Sequence, residues 1–294
     1  MASTPNPPAV FRLPINVNEP VSDDEEAEDD APPSVEEYEQ RYVAFIDILG
    51  FKELIRDSAR ASSHGPAKLT SIFNALNLNF DGFKKDYNEK SQSGKEDADL
   101  RVNSFSDFVV VSSLATKSGF NLLLFVIWCV ARDWLSKGYL CRGGIAKGSV
   151  IHIGGTNGNP GMVFGPAFIE AYQLEQDIAD FPRIVLSKSV RVDAGDFRPG
   201  TKNEFSIFGK LITKCNDGPM CIDLFAHLRR NGFDFLGTEH PVEAKQFQAT
   251  LKAQLDHGAD IPKWHRKTSW LVNCFNEAIT DTDYAGKKVN IDQL

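Results

Sequence analysis

The alternation of apolar and polar positions predicts an α+β fold that begins near residue 42. Residues 42–49 (YVAFIDIL) form an apolar run of strand length interrupted by one acid, which is typical of a central buried strand. Residues 68–83 have the apolar spacing of a helix, and residues 118–137 predict a long apolar helix. Between them, residues 100–102 and 107–112 predict the two strands of a hairpin.

The pattern that follows completes a known order of elements. Residues 139–153 predict a long strand, residues 166–176 a helix with proline in its first turn, and residues 183–187 another strand. The order from residue 42 is therefore β, α, β, β, α, β. This is the ferredoxin-like arrangement, in which we expect an antiparallel sheet covered by helices on one face.

The remainder of the chain predicts further elements and an extension. They are a hairpin of residues 205–212 with 219–224, turning at Asn216–Gly218, and amphipathic helices over 242–255 and 264–278. We therefore expect one α+β domain over residues 34–225, with a C-terminal helical extension over residues 226–294 packed on it.

Charge is concentrated at the N-terminus. Residues 1–40 hold eleven acids and one base, so their net charge is −10, whereas the whole chain carries −8. Seven of the fifteen prolines also precede residue 34. Such a segment cannot bury enough apolar surface to offset its ordering entropy, so residues 1–33 are predicted to be a disordered acidic arm. The nearly neutral remainder argues against a nucleic-acid-binding protein.

The cysteines and the apolar runs together predict the cellular compartment of the protein. The N-terminus lacks the basic start and apolar core of a secretory signal, and five scattered cysteines are typical of reduced thiols. Cys215 and Cys221 are the only close pair, and their spacing fits no common zinc motif. The longest apolar run, residues 122–131, is about half of what a bilayer requires. We predict a soluble cytoplasmic protein that binds no membrane.

Two carboxylates are the strongest candidates for chemistry. Asp47 interrupts the apolar strand, and Asp107 lies on the neighbouring hairpin. An ionised group on a buried strand is unfavourable unless something compensates it, and metal ions would compensate both acids. A structural alternative stays open, in which Asp47 is capped by an arginine or by backbone donors and Asp107 closes the hairpin turn.

The residues after Asp47 suggest an anion site. Gly50 allows close approach to the backbone, and the chain is expected to begin a helix directly after it. Successive amides at a helix start bind phosphate. A metal ligand and a phosphate cradle would then lie side by side.

Four blocks of sequence together resemble class III nucleotidyl cyclases, in the right order over about half of the chain. The resemblance implies that two Mg²⁺ or Mn²⁺ ions bind Asp47, Asp107 and the backbone carbonyl of Ile48. It further implies that the backbone from Leu49 through Gly50 and Phe51 to Lys52 faces the β- and γ-phosphates of a nucleoside triphosphate. The blocks are FIDILGF (45–51), SFSDFVVV (104–111), LCRGGIAKGSVIHIG (140–154) and VFGPAFIEAYQLE (163–175).

The departures from this family limit the choice of substrate. Asn103 stands where purine cyclases place a base-reading lysine, and Met162 stands where they place its acidic partner. Ile169 and Gln173 stand where they place the asparagine and arginine that stabilise the transition state. The chain is therefore either a catalytically inactive nucleotide-binding or scaffolding module, or a member of a branch that reads another base.

The second option agrees with a closer resemblance, to the pyrimidine cyclases of the bacterial Pycsar anti-phage systems. That resemblance implies cyclisation of UTP or CTP to cyclic UMP or cyclic CMP, as a second messenger in antiviral defence. It also implies a homodimer with two composite active sites, and a separate effector protein that senses the cyclic nucleotide.

Further residues have two interpretations each. Asn103 reads the base or is a turn residue, and Arg142 meets the triphosphate or pairs structurally with Asp107 or Glu175. Tyr172 and Glu175 approach the base from the partner subunit or pack their helix.

Two groups of basic residues lie late in the chain. Lys210 and Lys214 are candidates to neutralise the transferring phosphoryl group. The basic stretch WHRK, residues 264–267, is predicted to be a solvated helix face.

Overall fold

One mixed β-sheet organises the protein. The computed structural model describes residues 37–60, 65–91, 98–154, 161–196, 208–230 and 240–291. Its strands are β1 (Glu39–Ile48), β2 (Arg101–Ser104), β3 (Phe108–Leu114), β4 (Cys141–Ile153), β5 (Met162–Phe164), β6 (Ile184–Leu186), β7 (Ile212–Lys214) and β8 (Met220–Ile222).

Helices lie between and after these strands. They are α1 (Phe51–Arg60), α2 (Gly65–Leu76), α3 (Phe80–Ser91), α4 (Lys117–Ser136), α5 (Pro166–Gln173), which continues into a π-helical turn (Leu174–Ile178), α6 (Lys188–Asp196), α7 (Phe208–Leu211), α8 (His240–His257) and α9 (Pro262–Ala278). Short 3₁₀ turns occur at Ala226–Leu228 and Ala285–Lys287.

The strand order confirms the predicted α+β class and its ferredoxin-like core. The order is β2-β3-β1-β4-β6-β8-β7, with β5 paired to β4. Strand β1 is antiparallel to both β3 and β4, and β2 is antiparallel to β3. Strand β6 pairs in parallel with β4, so the complete sheet is mixed rather than purely antiparallel.

Both faces of the sheet are covered, which corrects the expectation of helices on one face only. Alternate residues of β1 point to opposite sides. Tyr42 and Ile46 belong to the core cluster that contains α4, whereas Val43 and Phe45 pack with Ala167 of α5. Helix α5 covers the face to which Asp47 also belongs by this alternation.

Helix α4 forms the centre of the larger core. The Thr116 hydroxyl caps its N-terminus by accepting from the Gly119 amide. By length and composition α4 is the one helix in the described part of the chain that could cross a membrane, but 89% of its most apolar window is buried within the protein. Such burial is typical of a core helix.

Two predicted elements have different boundaries in the structure. The helix expected over residues 68–83 is two helices, α2 and α3, and the Asn79 side chain accepts from the Gly82 amide in the first turn of α3. The strand expected over residues 205–212 is wrong at residues 208–211, which form α7. Residues 205–207 and the predicted arm, residues 1–33, lie outside the described residues.

The C-terminal helices form a second core with the first domain's elements. Phe247 of α8 and Phe275 of α9 cluster with Leu49, Leu135 and Leu140. Residues from Glu37 onward form one compact unit. The helices predicted over 242–255 and 264–278 are confirmed as α8 and α9, and they reach the end of β1.

Helix α5 approaches the sheet closely because Gly144 has no side chain. A Cβ at Gly144 would collide with the Ala171 carbonyl oxygen of α5 and would lie 2.6 Å from the Leu174 Cβ. Gly144 pairs with Phe45 on β1, so this contact fixes α5 over the face that carries Asp47.

We expect Gly144→Ala to reduce the free energy of unfolding by about 1–3 kcal/mol, because the added methyl forces α5 away from the sheet. Urea denaturation measures the change. Gly195→Ala on α6 is the matched control, since a Cβ there meets nothing within 4 Å, and it should be neutral or slightly stabilising. Equal effects of the two substitutions would contradict the close packing of α5.

Candidate functional site

Asp47 and Asp107 lie together at one end of the sheet, as the sequence predicted. Asp47 is the penultimate residue of β1 and is partly buried, and its register partners are Phe108 and Arg142. Asp107 directly precedes β3, and its backbone carbonyl accepts a hydrogen bond from the Ile48 amide at 2.9 Å. The Ser106 hydroxyl donates to the Asp107 carboxylate at 2.8 Å. Backbone pairing therefore fixes the two acids relative to each other.

The environment of Asp47 opposes its ionisation. Burial raises its pKa to about 7, with further contributions from the negative charges of Glu175 and Asp107, against the lowering effects of Arg142 and the Ile48 amide. Glu175, in the π-helical turn after α5, is fully buried. Burial raises the pKa of Glu175 as well. Three acidic side chains thus lie near one another, and the neighbouring positive charges and hydrogen bonds only partly offset their negative charge.

The positive charge that acts on Asp47 belongs to Arg142, and this side chain is already in an ion pair. Arg142 forms an ion pair with Glu175 through its Nε atom, which matches the structural alternative considered for this arginine. Binding of a triphosphate by Arg142 stays a prediction. Buried Lys267 of α9 also lies close enough to influence Glu175.

The donors present fit a hard divalent cation. Carboxylate and carbonyl oxygens are the ligands that Mg²⁺ and Mn²⁺ prefer, and a cation would compensate the negative charge that raises the pKa of Asp47. Asp47, Asp107 and the Ile48 carbonyl would supply such oxygens. Within the described ranges no group of three or more His, Cys, Asp or Glu side chains is arranged to hold a metal ion, so a substrate or solvent would have to complete the coordination.

The turn after β1 partly forms the expected phosphate cradle. Gly50 has φ +75°, and its carbonyl accepts from the amides of Glu53 and Leu54 as α1 begins. The first helical turn leaves the amides of Phe51 and Lys52 without an intrahelical acceptor. Leu49 does not contribute its amide, because that N–H donates to the Leu140 carbonyl at 2.8 Å.

Helix α9 forms one wall of this turn, which the sequence interpretation missed. A Cβ on Gly50 would lie 2.9 Å from the Trp264 ring. Trp264 is partly buried and Lys267 is buried, so the expectation of a fully solvated basic stretch is wrong for these two residues. The available signal was the apolar spacing of α9, in which both positions fall on the buried face with Leu271.

Asn103 shares the sheet face of Asp47 but is not a turn residue. It lies within β2, opposite Val110, which is in turn opposite Phe45. Its side chain is buried, and its amide nitrogen donates to the Ile153 carbonyl at 3.2 Å. Base reading by Asn103 stays a prediction, and one donor of its amide is already committed within the chain.

Of the two late lysines, Lys214 lies far from the two acids of its own chain. Lys214 ends β7, the edge strand, which is four strand spacings from β1. At the usual spacing this is roughly 19 Å. Lys210 precedes β7 on α7. Lys214 is therefore too far away to neutralise a phosphoryl group held at Asp47 of the same chain, which corrects that expectation for Lys214, and the role of Lys210 stays a prediction.

The known proteins found to be similar to this chain are solved structures of nucleotide cyclases. No family model matches the chain, and no curated protein matches it. Similar solved structures include the catalytic core of a rhodopsin-guanylyl cyclase with converted specificity in complex with ATPalphaS (17% identity, TM-score 0.40, 63% of this chain and 94% of that one). The guanylyl cyclase Cya2 (12%, 0.37, 63% and 90%) and the adenylyl cyclase CyaB from P. aeruginosa (18%, 0.36, 63% and 92%) are also similar. At these identities and TM-scores the likeness assigns no substrate or activity to this chain.

The raised pKa of Asp47 predicts a pH-dependent stability. The unfolded carboxyl titrates near pH 4, whereas in the native state its pKa is about 7. Between these values the native state holds a proton that the unfolded state has released, so the free energy of unfolding should fall as pH rises through this window. We expect a loss of roughly 2–4 kcal/mol for the metal-free protein.

Asp47→Asn should remove this loss and stabilise the metal-free protein at neutral pH. Urea denaturation across the window, compared with the exposed control Asp57→Asn on α1, measures the difference. The same pH profile in wild type and Asp47→Asn would contradict the assignment.

Proposed function

We propose that the chain is a nucleotide cyclase that converts a pyrimidine nucleoside triphosphate, UTP or CTP, to its 3′,5′-cyclic monophosphate and pyrophosphate. The observation that carries the proposal is the partly buried Asp47 carboxylate, whose pKa is raised to about 7 beside Asp107 and Glu175. The ionised form of this carboxyl is unfavourable unless a cation compensates its charge. The helix start after Gly50 adds phosphate-binding amides next to the same acids.

The reaction is an intramolecular displacement. The ribose 3′-oxygen attacks the α-phosphorus in line, the new P–O bond closes the ring, and the bond to the β-phosphate oxygen breaks as the 3′-hydroxyl proton passes to solvent. Bound Mg²⁺ or Mn²⁺ would make the hydroxyl more acidic and neutralise the triphosphate. Asp47, Asp107 and the Ile48 carbonyl would hold these ions, and the amides of Phe51 and Lys52 would orient the phosphates.

The proposed base preference follows from the groups that are missing at the base position. Met162 offers no acceptor for the polar edge of a purine, and Asn103 replaces a lysine of the purine enzymes that the sequence resembles. An unpaired hydrogen-bonding group costs about 1–3 kcal/mol, so pyrimidine triphosphates should be preferred by about ten- to a hundredfold in kcat/KM. The resemblance to anti-phage pyrimidine cyclases extends the proposal to a second messenger that is sensed by a separate effector.

An apolar surface supports the proposed homodimer. Tyr38, Met162, Phe164, Ile169 and Tyr172 are each between 42% and 54% exposed. Tyr38 packs against Phe164 with ring centroids 6.4 Å apart, and Ile169 and Tyr172 lie one turn apart on α5. Exposed apolar side chains are typical of an interface. Ile169 and Tyr172 lie on α5, which covers the sheet face of Asp47, so this part of the surface is the apolar patch that a partner subunit would cover, and the partner would supply the transition-state groups that Ile169 and Gln173 replace.

An assay with purified protein, Mn²⁺ and each of the four nucleoside triphosphates tests the activity, with products resolved chromatographically. We expect cyclic UMP or cyclic CMP, and no product from Asp107→Ala. That variant should fold, because only the backbone carbonyl of Asp107 bonds to Ile48. The exposed Asp57→Ala is the matched control and should retain activity.

Three outcomes would contradict the proposal. Preferred turnover of ATP or GTP would overturn the pyrimidine assignment, and wild-type turnover by Asp107→Ala would overturn the metal assignment. Nucleotide binding without turnover would instead favour an inactive nucleotide-binding module. The side chains of Ile169 and Gln173 agree with that alternative, because they replace the transition-state asparagine and arginine of the purine cyclases.

The dimer has its own test. Ile169→Glu places a charge in the apolar patch and should convert the homodimer to monomers, as measured by size-exclusion chromatography with light scattering. Val192→Glu is the matched control, because Val192 is equally exposed but lies on α6, which packs on the opposite face of the sheet. A monomeric wild type, or a dimeric Ile169→Glu, would exclude this interface.

A further inference from the structure

A cavity of about 120 Å³ lies between the β6–β8–β7 side of the sheet and α9. Four cysteines line it, Cys141, Cys215, Cys221 and Cys274, together with Arg183 and Trp270. Its volume admits several molecules the size of water. Nothing in the proposed cyclase reaction uses these thiols.

Cys215 and Cys221 are held beside each other by the β7–β8 hairpin. Their Sγ atoms are 2.7 Å apart, and both thiols are free. The Cys215 amide donates to the Pro219 carbonyl at 2.8 Å, and the Gly218 amide donates to the Cys215 carbonyl at 3.0 Å. A disulfide has an S–S bond of about 2.05 Å. The two sulfurs can therefore bond with a side-chain shift of under about 1 Å, without a change in the hairpin.

The surroundings make Cys215 the more reactive thiol. A hydrogen bond from the Cys221 thiol, and then the charge of Arg183, hold the pKa of Cys215 below its ordinary value despite burial. Arg183 is itself fixed by two hydrogen bonds to the Asp217 carboxylate, at 2.6 and 2.7 Å. The thiolate is the nucleophilic form of cysteine, so oxidants that enter the cavity should react at Cys215.

The other four thiols are disfavoured as nucleophiles. Burial raises the pKa of Cys129, Cys141 and Cys274 to about 12 in each case. The hydrogen bond to Cys215, followed by burial, raises that of Cys221. Reactivity toward an oxidant should consequently be confined to one cysteine of the five.

We propose that Cys215 and Cys221 are a peroxide-reactive dithiol, in which Cys215 is oxidised first and Cys221 closes the disulfide. The Cys215 sulfur attacks one oxygen of hydrogen peroxide, the O–O bond breaks, and the departing hydroxide takes a proton and leaves as water. The Cys221 sulfur then attacks the sulfenic acid on Cys215, the S–O bond breaks, and a second water leaves. Two thiols and one hydrogen peroxide give one disulfide and two waters.

The sequence makes this product easy to identify. Lys214 precedes Cys215, and the next tryptic site is Arg229, so both cysteines lie on one tryptic peptide, residues 215–229. After limited hydrogen peroxide treatment and alkylation of the denatured protein, that peptide should lose two hydrogens and carry no alkyl group. Oxidation of Met220 on the same peptide adds an oxygen and is distinguished by its mass.

Variants separate the two roles. Cys221→Ser should accumulate a sulfenic acid on Cys215 that dimedone labels, and Cys215→Ser should abolish both the label and the disulfide. Cys129→Ser on α4 is the matched control and should still form the disulfide. The peptide mapping of wild type does not depend on the folding of any variant.

Several results would overturn the proposal. Alkylation of both thiols after peroxide treatment would exclude the disulfide, and equal oxidation of Cys129 would exclude selective reactivity. A bond from Cys215 to Cys274, which lies on a separate tryptic peptide, would show that the pairing is wrong. Each of these readouts is independent of any cyclase activity.

Discussion

The position of one carboxylate constrains much of this structure. Asp47 directly follows the apolar run of the central strand β1, and the sheet register places it beside Asp107 and within the influence of buried Glu175. Burying like charges together is unfavourable, and the nearby guanidinium of Arg142 is paired with Glu175. The fold thus maintains an acidic corner that a divalent cation and a phosphate ester would stabilise together.

The rest of the protein holds that corner in place from three sides. Helix α5 lies close to the sheet because Gly144 leaves room for its backbone, and it brings Glu175 toward Asp47. The hairpin fixes Asp107 through the hydrogen bond from the Ile48 amide to its carbonyl. Helix α9 packs Trp264 against Gly50. A C-terminal element therefore supports the turn that carries the proposed phosphate-binding amides.

The cysteine-lined cavity lies on the other side of β4, and its surroundings favour a different ionisation state. There, hydrogen bonding and the charge of Arg183 favour a thiolate at Cys215, whereas at the acidic corner burial disfavours a carboxylate. The two places are on opposite flanks of the sheet, and α9 packs near both through Trp264 and Trp270. One helix outside the ferredoxin-like core thus borders both candidate sites.

Much of the fold and the acid pair could be predicted from sequence because they depend on local, periodic signals. The apolar run of β1, the hairpin before Phe108 and the long helix α4 follow from spacing alone, and Asp47 stands out because it interrupts such a run. Spacing could not predict that the Leu49 amide donates to the Leu140 carbonyl, or that Arg142 pairs with Glu175. Contacts between distant residues decide those features, since register and helix packing select the partner of each buried polar group only when the chain is folded. For the same reason, six residues of spacing between Cys215 and Cys221 gave no sign of chemistry, whereas the hairpin brings their sulfurs within 2.7 Å.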